Sequence, residues 1–324
     1  MAEAWIGRLR RAAVGGAVAW GLASGAGLFL DRGIQLVALA PVVILPLGLA
    51  LVPAGGGATA AHGLASAAVL VAGPCALLAA LLSPGPAAAG LAVPWLAATL
   101  LVGLVGALRL RARGLWPIGE LALDAGMLYL PVGGVWFLAS RTGVELLGFR
   151  EPIVTFTAAH FHYAGFAAPV IAGLLGRALG EGAADRFYRG VAGVVILGIP
   201  LVAAGIQFSR SLEFPAAIFL SLGMLGAAAL LARTGLRLVL AGPAAVRLAG
   251  VLRILGGAAL VFSMLLAALF ASTGSATRGS SEPLIPYAQM AELHGVANAL
   301  GFSLLVLLSF TLAPPGSDGD SSPP

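Results

Sequence analysis

From residue 12 to residue 312 the chain is a series of long apolar stretches separated by short polar breaks. A helix needs about 20 apolar residues to cross the hydrocarbon of a bilayer, and these stretches reach that length again and again. Of 324 residues, 60% are hydrophobic and 10% charged. A water-soluble domain carries about 25% charged residues, so lipid must be the main solvent for this exterior. In lipid, backbone groups must pair within a helix or a closed barrel, and a barrel would show short alternating segments. The pattern therefore predicts an all-α fold, a polytopic transmembrane helix bundle of about ten spans. The spans fall near residues 12–30, 34–53, 58–82, 86–108, 115–138, 152–176, 189–207, 214–232, 248–272 and 286–312. Residues 1–312 read as one integral membrane helical domain, and 313–324, with Asp318 and Asp320, as a disordered polar tail. Pro46, Pro74, Pro94, Pro131 and Pro200 are expected to kink their spans. Cys75 has no second cysteine with which to form an internal disulfide.

The 18 basic residues are all arginine. They lie in small clusters between apolar runs, as topology signals do, and this excludes nucleic acid as the partner their charge suggests. If the N-terminus is cytoplasmic, inner segments hold Arg8, Arg10 and Arg11, then Arg109, Arg111 and Arg113. Arg177, Arg186 and Arg189 follow, then Arg233, Arg237 and Arg247. Outer segments hold only Arg32, Arg141, Arg150, Arg210 and Arg278. Both termini are then cytoplasmic.

An ionisable side chain at mid-membrane costs about 2.5–3.5 kcal/mol and needs a reason to be there. Two of the four histidines, His160 and His162, lie beside Tyr163 in FTAAHFHYAGF, residues 156–166. A third, His294, lies between Glu292 and Asn298. Both segments enter the membrane from the outer side, and His160 and His294 each fall about eight residues in, roughly 12 Å deep. That shared depth predicts a histidine-containing polar pocket in the outer half. Residues two apart on a helix point about 200° from each other, so His160 and His162 face different neighbours. His294 and Asn298, four apart, share a face. Glu120 and Asp124 are also four apart and form a second candidate site, a proton or cation path on the fifth span. Glu120 could instead pair with Arg113, and Asp124 is the deeper of the two. His62 reads as structural. Arg141, Glu145, Arg150 and Glu151 read as solvated charges of the fifth connection, and Gln207, Arg210, Glu213, Tyr287 and Gln289 as further polar groups on the same side.

The stretch 156–166 resembles the signature of the YndJ-like family of bacterial multi-pass membrane proteins, and HGVANALGF, residues 294–302, resembles that family's second signature. Members are often labelled YndJ family transporters. The resemblance implies the bacterial inner membrane and a transport role, and it points to His160, His162, Tyr163, Gly165, Glu292, His294 and Asn298. A shorter likeness runs over 159–163, which is similar to the haem–copper oxidase helix whose two histidines bind two haems on opposite faces. That family's other metal-ligand histidines have no counterparts among four.

Three functions remain open. The first is a transporter or binding protein for a small molecule or ion. The second is a membrane-embedded enzyme in which His160, His162, His294 and Glu292 ligate zinc or iron. The third is a haem-binding, sensor or purely structural membrane protein. The sequence assigns no reaction.

Overall fold

A computed structural model describes residues 2–52, 59–180, 186–276 and 286–315, with the backbone alone described at 2–3, 210, 271–276 and 287–288. Arg278, Asp318, Asp320 and the tail from 316 onward lie outside the described residues, as do the side chains of Arg210 and Tyr287. The described chain is helical and forms no strand, only an isolated bridge between Leu146 and Phe149. Its helices are α1 (Ala2–Gly25), α2 (Arg32–Leu51), α3 (Thr59–Leu81), α4 (Pro86–Arg113) and α5 (Ile118–Thr142). They continue as α6 (Ile153–Ala178), α7 (Arg186–Phe208), α8 (Arg210–Ala241), α9 (Ala244–Ala276) and α10, which runs from Tyr287–Val296 through Ala297–Leu304 to Leu305–Leu312.

Among the described residues nine helices, α2 to α10, are long and apolar enough to cross a membrane. The tenth, α1, carries Arg8, Arg10 and Arg11 in its first half and stops at Gly25, short of the expected Leu30. Its stop is a Schellman turn. Gly27, at φ +65°, sends its N–H to Ser24 O, and Leu28 N–H returns to Ala23 O. Asp31 then starts α2 by accepting the Ile34 N–H at 2.9 Å.

The described chain divides into two compact units, Met1–Trp116 with Leu123–Val170, and Pro117–Ala122 with Ile171–Pro324. In the first unit α2 is the centre, with every residue from 36 to 52 buried. A helix apolar on all sides has to be surrounded, and α1, α3 and α6 pack around it. The Trp20 indole N–H donates to Gln35 O at 2.7 Å, Gly16 lies against Val42, and the start of α1 meets the end of α2. The two therefore run antiparallel along their whole lengths. A Cβ at Gly16 would fall 2.2 Å from Val42 O, so only glycine allows this approach. In the second unit α7, α8, α9 and α10 pack in sequence, each against the next. The outward faces carry Val14, Val71, Leu100, Leu222 and Leu265, all exposed, as a lipid-facing surface requires.

Pro74, Pro94, Pro131 and Pro200 lie inside their helices, with Pro215 in addition. Three spans also widen into π-helix, at Ala40–Ile44, Phe161–Ala167 and Ala297–Leu304. At the first, Pro41 has no N–H to offer Val37, whose carbonyl takes the Ala40 N–H instead. The other two hold the two sequence motifs, and such bulges occur often at functional sites.

Candidate functional site

The first motif turns inward at His162, which has no exposed surface. The Trp95 indole N–H of α4 donates to His162 Nε2 at 3.0 Å, so Nε2 must carry the lone pair and Nδ1 the proton. Nδ1–H donates to Ala158 O at 2.7 Å. The two rings are nearly parallel, 18° apart with centroids at 5.8 Å. Both ring nitrogens are thus engaged, and a metal or haem iron at Nε2 would have to displace Trp95. Gly133 of α5 makes room for the imidazole, since a Cβ there would lie 2.9 Å from Nδ1. Tyr163 is buried and its hydroxyl donates to Leu36 O at 2.6 Å, tying the π segment of α6 to α2. His160 is half-buried, edge-on to Phe161 with centroids at 6.1 Å.

The second motif lies in the second unit. His294 Nδ1 stands 3.1 Å from Ser263 O and 2.9 Å from Ser263 Oγ. A carbonyl only accepts, so Nδ1 carries the proton and Nε2 the lone pair. Asn298 donates to the same Oγ at 2.5 Å and to His294 O at 2.9 Å. The two residues meet on Ser263 of α9, a fully buried serine that an apolar run hides from sequence reasoning. Glu292 is exposed. Nearby on α9, Arg253 is buried, bonded to Ser309 Oγ at 3.1 Å and stacked over the Phe310 ring at 4.2 Å. Sequence reasoning passed over it. Among the described residues no three His, Cys, Asp or Glu side chains group so as to hold a metal ion.

Asp124 has no exposed surface and lies six residues into α5, roughly 9 Å at 1.5 Å per residue. Arg109 Nε donates to its Oδ1 at 2.8 Å, and Arg113 Nη2 takes Oδ2. The two arginines are one turn apart on α4, so one carboxylate bridges two like charges. Beside them on α3 stand His62, whose Nδ1 is buried with no partner, and Ser66, whose hydroxyl has none either. Glu120, in the second unit, pairs with Arg177 at 2.6 Å, while Arg113 belongs to Asp124.

At the opposite end of α5 the expectation of a solvated Arg141 fails. It occupies the last helical turn and is only 3% exposed. Its Nη2 donates to Ser140 Oγ at 2.9 Å and its Nη1 to Leu82 O at 3.3 Å, while Nε is buried without a partner. Glu151, at the start of α6, accepts Ser140 Oγ–H at 2.6 Å, Thr155 Oγ1–H at 2.9 Å and the Thr155 N–H at 3.1 Å. Arg141, Glu151, Thr155 and Asp31 line a cavity of about 170 Å³ with Leu30, Pro84, Pro152 and Phe156. Nothing along the chain hints at it, because its walls come from four separate stretches. Glu145 and Arg150 behave as expected, an exposed ion pair.

Nine described helices long and apolar enough to cross a membrane, apolar residues exposed on the outer faces and charges held inside the spans define a multi-pass membrane protein. The match to the family described as YndJ-like protein covers residues 35–302, and the chain belongs to that family. It is 29% identical over 229 residues to "Uncharacterized membrane protein YndJ" of Bacillus subtilis (strain 168). That alignment spans 69% of this chain and 38% of the relative. No solved structure matches.

Proposed function

We propose that the protein moves a small solute or ion across the membrane, with Asp124 as the charge that couples binding to movement. The reading is carried by one observation: a carboxylate with no exposed surface, inside a span, bridging Arg109 and Arg113. A charge in a span costs free energy, and such charges mark solute and ion paths more often than they serve as glue. His62 Nδ1 and the Ser66 hydroxyl, buried without a hydrogen-bond partner, add polar groups that packing alone does not call for. His160, His294, Asn298 and Glu292 are proposed to belong to the polar lining in their own units, with His162 and Tyr163 holding the π segment of α6 in place.

The arginine distribution supports cytoplasmic termini and the inner membrane of a bacterium. So does α1, which as the antiparallel companion of α2 along its whole length would cross with it and make ten spans. The Arg113 end of α4 is then cytoplasmic and the Arg141 end of α5 external.

The test is flux through the purified 324-residue chain in proteoliposomes, with labelled chloride, phosphate, sodium, potassium and small amino acids as probes. Protein-dependent flux of at least one probe is expected, lost in an Asp124→Asn variant that elutes as folded protein. Folded wild type that moves none of them, or an Asp124→Asn variant that moves its probe undiminished, would overturn the coupling role.

A further inference from the structure

A second buried arginine has no such partner. Arg141 is 3% exposed, yet among the described residues no carboxylate forms an ion pair with it. Its two hydrogen bonds use two of five N–H donors, one of them to a carbonyl at 3.3 Å. A buried charge with no carboxylate in direct contact is unfavourable, and here it borders a cavity whose nearest anions, Asp31 and Glu151, stand apart from it. The same cavity holds two carboxylates. Asp31 spends one oxygen on the α2 cap, and Glu151 is held by Ser140 and Thr155. Both residues are exposed at the rim.

The lining thus offers one buried cation and two rim anions around a space of about 170 Å³. A simple anion would satisfy Arg141 but meet two carboxylates. A simple cation would satisfy the rim and leave Arg141 unpaired. A molecule with both charges a few bonds apart suits every group. The planar guanidinium fits a carboxylate through parallel N–H bonds, and an ammonium donates to the rim carboxylates. Leu30, Pro84, Pro152 and Phe156 supply an apolar wall for a short hydrocarbon side chain.

We propose that this cavity binds a small zwitterion of the α-amino-acid class, its carboxylate on Arg141 and its ammonium on Asp31 and Glu151. Binding here does not require Asp124 to act as proposed above, so the two readings fail separately.

The test is calorimetric titration and thermal shift of the full chain in nanodiscs with L-alanine, L-valine and L-leucine. Propionate and ethylamine, which each keep one charge of alanine, serve as probes of the pairing. Saturable binding of at least one amino acid is expected, with both single-charge probes at least about tenfold weaker. Asp31→Asn keeps the helix cap, since asparagine caps as well as aspartate, and removes only the charge. It should weaken binding about tenfold or more, as should Arg141→Lys, which loses the planar fork. No binding by any of the three amino acids to folded protein would overturn the proposal. So would propionate or ethylamine binding as well as alanine, or an affinity unchanged in both variants.

Discussion

The two ends of α5 treat a buried arginine in opposite ways. At one end Asp124 reaches both Arg109 and Arg113, and the charges are closed on one another. At the other, Arg141 is as deeply buried as Arg109, 3% against 4% exposed, yet Ser140 stands between it and Glu151. Burial alone therefore does not say what a membrane arginine is for. A closed pair resists loss of either partner, because the one left behind stays buried and charged. An open guanidinium leaves its strongest interaction to a ligand.

The sharpest way to break this contrast is to remove Asp124. Asp124→Ala leaves two buried cations one turn apart and should cost about 3–5 kcal/mol, read as a lowered unfolding midpoint in detergent. A change below about 1 kcal/mol would mean that Asp124 is not closed on both arginines. Smaller, but still above the noise, is Trp95→Phe. It strips His162 Nε2 of its donor in a sealed site and should cost about 1–3 kcal/mol. Gly133→Ala, which presses a methyl group against the same imidazole, should cost about 1–3 kcal/mol by overpacking. Ser263→Ala removes the group on which His294 and Asn298 meet. Hydrogen bonds between membrane helices average about 0.6 kcal/mol with a maximum near 1.7, so its effect should fall within that range. If Ser263→Ala exceeded the Trp95→Phe loss, the second motif would be the more tightly built of the two.

The helical class and the positions of nine spans were legible because each rests on hydropathy along the chain. The π segments were not, since widening a helix by one residue leaves its composition unchanged. Arg109 and Arg113 read as topology markers, and nothing in the order of residues says that both curl back onto Asp124. Arg141 stands one residue before Thr142 and Gly143, so sequence places it in a loop. The last turn of α5 instead folds it under Glu151. Ser263 was invisible for a simpler reason, as one hydroxyl in an apolar run carries no pattern.

The contrast between closed and open arginines comes down to one unfolding experiment in detergent with no solute added, comparing Asp124→Asn with Arg141→Met. A clear fall in midpoint is expected for Asp124→Asn and no loss, or a gain, for Arg141→Met, whose flexible apolar chain fills much of the same space without an unpaired charge. An Arg141→Met protein as destabilised as Asp124→Asn would contradict it, because Arg141 would then be paired in the folded protein after all.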